Sequence, residues 1–444
     1  MQQRAMFIVL LFAFTLFHIP FLLTDGGPSF LLRIIFIIPI LTYSMLTIGK
    51  RNKEENNLYR MNSDTKIFCI YILLMFVALI RSYSSEAIRI PESLFFIFLW
   101  SSIILFALSI LHRIQQNDYP TVLHYFFASL GLYVSVNVLL HFLGITSSAK
   151  RLFAMYSEGP SEAVLLSSIG IQTDRVLFLM TTGLNEFGII CGSVIVIWSL
   201  IFFDASSSAK MKLVSVLFIF FSFCGILLTD SRAAVFFSLF TIVFFSFVKH
   251  YWKVITFSFF LLPIVIPLFF FNLDVISEQA NELNVSSVTR NTDDVKQLAG
   301  RYIVWDNAFQ FLSEFSSMHI VGYGLFSQTI SGLSNEYYSL GKLFQNPERV
   351  TLHNSYLQYL LDVGYIGVLV FLLAYYSVLR KLKQLSKYYS SKIHTVGIAF
   401  LFFMGLSSLF ETSLTLYNVS TAFIVLFMMV ITLFFQHREQ RAIQ

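Results

Sequence analysis

Residues 254–271 read VITFSFFLLPIVIPLFFF and run directly into NLDVISEQANELNVSSVTRNTDD at 272–294. A helix crossing a bilayer needs about 20 mostly apolar residues. The first string is therefore a span, and it stops where the polar string begins. Polar character persists to His353, and SYLQYLLDVGYIGVLVFLLAYYSVL at 355–379 restores the apolar one. Working outward, further apolar runs of nearly span length fall at 6–23, 30–48, 67–81, 93–111, 121–144, 184–203, 212–229, 233–248, 393–410 and 417–435. The fold expected is an all-α polytopic membrane protein of about 12 transmembrane helices, with one long outer loop between spans nine and ten. Composition agrees: 56% of the chain is hydrophobic and 12% charged, where soluble domains average about 25% charged. Fifty-one Phe and 21 Tyr suit lipid contact and leave little material for a large soluble domain. Cys69, Cys191 and Cys224 all lie in apolar runs, which argues against a disulfide framework or a cysteine metal site. Met1–Leu23 has no clear small-residue cleavage site and reads as a retained first span.

Lys and Arg concentrate on cytoplasmic loops, and that bias fixes an orientation. With both termini cytoplasmic, the inner loops and tails hold 18 of the 30 basic residues, among them Lys50, Arg51, Lys53, Arg60, Lys66, Arg380, Lys381 and Lys383. The net charge of +5 is then mainly a topology signal, and no nucleic-acid partner is expected. The long loop is an exception to the bias. It carries Arg290, Arg301, Arg349 and His353 on the side where few cations are expected, which points to an anionic, lipid-linked substrate.

The chain divides into a membrane domain at 1–271 with spans one to nine, the outer loop at 272–354, and spans ten to twelve with a cytoplasmic tail at 355–444. A second, smaller outer insertion covers 145–175. Ser277–Asp294 is rich in Asn, Ser and Thr, as a flexible segment would be. From Arg301 the character changes, with Trp305, Phe309 and Leu312 at helical spacing. That pattern predicts an amphipathic helix lying on the membrane surface or roofing a cavity. No internal repeat is convincing, which weakens a transporter built from inverted repeats.

Four clusters could carry chemistry, and each has an ordinary alternative. Thr229-Asp230-Ser231-Arg232 sits between apolar runs, where a snorkelling arginine with its counter-ion is the plain reading. Gly300-Arg301-Tyr302-Ile303-Val304-Trp305 precedes Gly322-Tyr323-Gly324, or an arginine at a helix start ahead of a glycine turn. His353-Asn354 stands before span ten, where Asn354 or Ser355 makes a good helix cap. Gly364 and Gly367 follow, and glycines there permit close helix packing.

Taken in this order, these residues resemble the O-antigen ligase and polymerase superfamily of bacterial envelope-polysaccharide assembly. The resemblance runs from Arg175 to Gly367, through Gly183-Leu184-Asn185-Glu186-Phe187-Gly188, Ser231-Arg232-Ala233-Ala234, Arg301 with Trp305, Gly322 with Gly324, and His353-Asn354-x9-Gly364-x-x-Gly367. It implies a GT-C-like glycosyltransferase in the bacterial inner membrane, with its active site on the periplasmic side. It implies catalytic roles for His353, Arg301, Arg232 and Glu186. Substrate-binding roles follow for Arg175, Arg349, Asn354, Tyr302 and Trp305. The implied partners are an undecaprenyl-diphosphate-linked oligosaccharide, an acceptor glycan hydroxyl and the bilayer, with a chain-length regulator and a flippase as neighbours.

The chemistry can be stated without the family. A diphosphate leaves as a stable anion, so fixed positive charge is what helps as the glycosidic bond breaks. Arginine suits that job because its planar fork binds phosphate oxygens bidentately and stays protonated. The acceptor hydroxyl is a poor nucleophile that a general base assists. His353 is the candidate base, and Glu186 is the second, or else orients an arginine. No Asp-x-Asp pattern is present, so a metal-independent reaction is expected, and no cofactor or P-loop is evident. Polymerase is the main expectation, a ligase acting on lipid A-core the nearest alternative, and a lipid-linked oligosaccharide flippase a more distant one.

Overall fold

The computed structural model describes residues 10–11, 30–49, 62–114, 118–145, 162–181, 183–248, 251–258, 261, 301–336, 350–389 and 391–435. Within them the regular structure is helical, and one isolated β-bridge joins Glu162 and Asp174. In chain order the main helices are α1 (Phe30–Gly49), α2 (Ser63–Ser84), α3 (Ile90–Arg113) and α4 (Tyr119–Phe142). Then come α5 (Leu184–Phe202), α6 (Ala209–Thr229), α7 (Arg232–Phe247) and α8 (Arg301–Ser313). The chain ends with α9 (Ser355–Tyr388), α10 (Ile393–Ser407) and α11 (Val419–Leu433).

Six of these helices are long and apolar enough to cross a membrane, namely α2, α3, α4, α5, α6 and α9. Four shorter apolar helices, at Arg33–Ile48, Arg232–Phe247, Ile393–Ser407 and Val419–Leu433, accompany them. The protein is thus an all-α polytopic membrane protein. Most of the expected first and ninth spans and most of the long loop lie outside the described residues.

Burial sorts the helices. The apolar window of α5 is 89% buried and that of α6 only 22%, so α5 is central and α6 faces outward. Around α5 stand α4, α6, α7 and α10, while α9 joins α2, α10 and α11. The two ends of the bundle differ. At one end Arg380 pairs with Asp64 at 2.5 Å, Lys392 with Asp204 at 2.9 Å, and Arg113 reaches Thr47 at 2.9 Å. The other end gathers Arg175, Arg232, Arg301 and His353.

Two local features shape that second end. First, α9 is not one continuous helix, because Gly364 (φ 71°, ψ −176°) breaks it. A break frees the carbonyls of the preceding turn, and buried carbonyls need donors. The Tyr323 and Gly324 amides supply them, donating to Leu361 O at 2.8 Å and Asp362 O at 2.9 Å. So close a crossing leaves no room for side chains. A Cβ on Gly322 would stand 2.2 Å from the Asp362 carbonyl oxygen, and one on Gly364 2.4 Å from that of Ile320. Gly364, expected to ease helix packing, thus allows the break, and Gly322, expected in a turn, allows the crossing.

Second, α10 and α11 are each only 15 residues long, because 408–418 is irregular and almost wholly buried. Non-helical backbone at such depth persists only where protein satisfies it. Here Ser355 N–H donates to Ser408 O at 2.8 Å and Asn354 Nδ2 to Leu409 O at 3.1 Å. Ser355 Oγ donates to Glu411 O at 3.0 Å and accepts from Leu414 N–H at 3.1 Å. Tyr359 donates to Leu414 O at 2.7 Å. The start of α9 and this segment form one stitched unit.

Candidate functional site

The amphipathic helix expected after Arg301 exists, but its apolar face turns towards protein. Val304, Trp305 and Ala308 of α8 are buried against Leu333, Leu352, Leu357 and Leu361. Trp305 Nε1–H donates to Leu352 O at 2.6 Å. A 3.6-residue period gives an apolar stripe without saying what covers it, and here the first two turns of α9 do. That docking sets Arg301, the first residue of α8, over the start of α9.

His353 lies one residue before the α9 cap, in the left-handed region at φ 48°. Such a conformation costs a non-glycine residue about 1–3 kcal/mol and persists only where the surroundings enforce it. They do so on both sides. Leu352 N–H donates to Gln358 Oε1 at 3.0 Å. Asn354 Oδ1 caps α9 by accepting from Tyr356 N–H at 2.9 Å and Leu357 N–H at 3.1 Å.

Both side chains converge on Glu411, from the buried 408–418 segment. Arg301 Nη2 donates to Glu411 Oε1 in a short ion pair, and His353 Nδ1 lies 3.1 Å from Glu411 Oε2. Asn185 Nδ2 also donates to Oε1, at 2.8 Å. Asn185 Oδ1 in turn accepts from Arg175 Nη2 at 2.6 Å, and Arg175 Nε donates to Thr229 O at 2.8 Å. Arg175, Asn185, Glu411, Arg301 and His353 thus form one chain of charge-assisted hydrogen bonds. Burial pushes the Glu411 carboxyl up, but Arg301, His353 and Arg175 outweigh it and hold the group below the ordinary carboxylate range. An ionised carboxylate only accepts. Nδ1 of a neutral His353 must therefore carry the proton, and Nε2 keeps its lone pair.

Asn185, His353 and Glu411 of this network open on a cavity of about 210 Å³, lined also by Glu186, Tyr417 and Asn418 and by the apolar Leu184 and Ile189. Its largely apolar wall carries convergent hydroxyl, amide and carboxylate groups, an arrangement suited to orienting a polyol.

The remaining expected site residues fall in different places. Glu186 lines the cavity, whereas the carboxylate that meets an arginine and the histidine is Glu411. Arg232 begins α7 with Asp230 at 3.9 Å, and the charges acting on Glu411 are those of Arg301, His353 and Arg175. Phe410, beside Glu411, packs on Phe237 of α7 and on Trp305, so Arg232 borders the same end of the bundle. Asn354 and Trp305 are buried and spend their polar atoms on backbone groups of the chain. Tyr302 lies in α8 with its side chain outside the described residues, as is all of Arg349. Sequence reasoning missed Glu411 and quoted Asn185 without giving it a role. The available signal for Glu411 was one acidic residue closing the apolar run 393–410.

No curated protein matches the chain. A family model described as O-antigen ligase matches residues 217–372, the region that holds Arg232, Arg301, Gly322, His353 and Gly364. That match, over the Arg301 and His353 of the site, supports the resemblance of the chain to the O-antigen polymerase and ligase superfamily.

Proposed function

We propose that this protein is a surface-polysaccharide polymerase that joins undecaprenyl-diphosphate-linked repeat units by metal-independent glycosyl transfer. The reading places the reaction on the outer face of the bacterial inner membrane, with both termini cytoplasmic. One observation carries it: Arg301 and His353 meet on a single carboxylate at the wall of a cavity. A diphosphate-gripping cation and a base of suitable tautomer therefore share one site.

In the step proposed, an acceptor hydroxyl in the cavity attacks the anomeric carbon of the donor sugar. Its oxygen forms the new glycosidic bond, and its proton passes to His353 Nε2. The bond from the anomeric carbon to the diphosphate oxygen breaks, and the electron pair leaves with the diphosphate. Arg301 stabilises that departing charge, with Arg175 and Arg232 adding positive field on the same side. General-base help of this kind is worth about 10²–10⁴-fold.

The Phe-rich N-terminal portion supports polymerase, and the matching family fits a ligase equally, since both need the same groups. Purified protein, supplied with a synthetic polyprenyl-diphosphate repeat unit and either a second such unit or lipid A-core as acceptor, separates the two. The expected result is transfer to the lipid-linked repeat, unchanged by chelator and abolished in His353→Ala. Transfer to lipid A-core alone makes the protein a ligase, and wild-type polymer from His353→Ala removes the histidine from the mechanism. Cysteine accessibility that put positions 232 and 301 on the cytosolic face would overturn the orientation.

A further inference from the structure

We infer that Glu411 is a positioning residue shared between Arg301 and His353 in the unloaded site, and that a donor diphosphate takes Arg301 away from it. The glutamate's charge then acts on His353 only after the donor has bound. This rests on the reading above of Arg301 as the diphosphate cation and His353 as the base.

The two carboxylate oxygens are unequally employed. Oε1 serves Arg301 and Asn185, while Oε2 serves His353. Glu411 cannot follow a departing arginine, because its carbonyl accepts from Ser355 Oγ at 3.0 Å within the segment stitched to the start of α9. Among the described residues no such restraint falls on the outer donors of Arg301, 20% of whose side chain stays accessible against 11% of Glu411. A diphosphate carries more charge than a carboxylate and offers phosphoryl oxygens that match the guanidinium fork. It therefore competes directly for Arg301. Asn185 remains on Oε1 when the arginine turns, so that oxygen is not stranded without a donor.

The consequence falls on His353. Among the described residues, the charged and titratable groups facing it are Glu411 from the 408–418 segment, Arg301 from α8, and Glu186 and Tyr417 across the cavity. Arg175 follows one hydrogen bond further away, through Asn185. Before the donor arrives, Arg301 draws on the same carboxylate and opposes a proton on the imidazole. After arrival the guanidinium is neutralised by phosphate, and Glu411 stabilises the imidazolium undivided. The base is then strengthened in the donor complex, so the acceptor hydroxyl is not activated against an empty donor site.

The test uses wild-type protein in nanodiscs, with undecaprenyl diphosphate as the binding probe and a synthetic lipid-linked repeat as substrate. Because kcat/KM reports groups of the free enzyme and kcat those of the complex, the acid limb of kcat should have its midpoint at higher pH than that of kcat/KM. Coincident midpoints would overturn the proposal without any variant. In Glu411→Gln the acid limb of kcat should move to lower pH and kcat should fall on the order of 10–100-fold, as when a partner that orients a histidine is lost. Undecaprenyl diphosphate should bind several-fold more tightly to that variant, because the internal competitor is gone. Glu411→Asp should retain the position of the limb. Weaker binding by Glu411→Gln, with an unmoved limb, would mean that Glu411 merely holds Arg301 in place. Wild-type protein that neither binds undecaprenyl diphosphate nor transfers glycan would refute the functional reading itself, a result distinct from either failure.

Discussion

Replacing Trp305 by Phe isolates the bond that ties α8 to the base. Phenylalanine keeps a ring in the small core formed with Ala308, Leu333, Leu352 and Leu361 but has no donor for Leu352 O, which the indole N–H reaches at 2.6 Å. A buried carbonyl left without its donor costs about 1–3 kcal/mol. The smaller ring gives up roughly 1 kcal/mol more of apolar burial, so folding stability should fall by about 2–4 kcal/mol. The next residue along the chain is His353, held at φ 48°. A strained residue holds its conformation only while its surroundings enforce it, so a loosened Leu352 lets His353 drift from that φ and draws Nδ1 away from Glu411. Thermal unfolding in detergent should shift down, and steady-state transfer should show kcat falling more than donor KM rises. Wild-type melting with wild-type kcat would refute the reasoning. Raised donor KM at unaltered kcat would instead make Trp305 a substrate contact.

Arg301→Lys should lower kcat on the order of 10²–10³-fold, since lysine keeps the charge but loses the fork that serves carboxylate and phosphate together; full activity in the transfer assay would mean that a point charge suffices. Gly322→Ala should sharply reduce the folded protein recovered from membranes, because its Cβ would stand 2.2 Å from a backbone oxygen at φ 81°; normal recovery and melting would refute the close crossing. Because the folded-state carboxyl of Glu411 lies below the ordinary range, it contributes stability above its unfolded value, and that contribution is lost as pH falls through the folded one. Wild-type melting temperature should therefore drop more steeply than that of Glu411→Gln as pH falls below the ordinary carboxylate range, and parallel curves would contradict the assignment.

How much of this was legible in the sequence depends on the reach of each signal. Span character is local, and the apolar runs at 184–203, 212–229 and 233–248 became α5, α6 and α7 within a residue or a few. Arg301 and His353 were visible because cations on the expected outer side break a statistical rule. The break in α9 was half visible, as a glycine that could have meant mere packing. Nothing in the sequence showed that the Tyr323 and Gly324 amides would replace its lost helical donors.

The partner that joins the site was not legible, for a geometric reason. Glu411 lies 58 residues from His353 and 110 from Arg301, and one glutamate closing an apolar run looks like any interfacial residue. The neighbours Asn185 and Glu186 show the same limit at closer range. Successive helix residues point about 100° apart, so only one of the two can face Glu411, and the sequence gives no reason to choose the amide. The structure chooses Asn185, because an amide can accept from Arg175 while donating to Glu411, and a carboxylate in its place would set two negative groups side by side. The same logic leaves Glu186 on the cavity wall, where a carboxylate can meet sugar hydroxyls without opposing the group that orients the base.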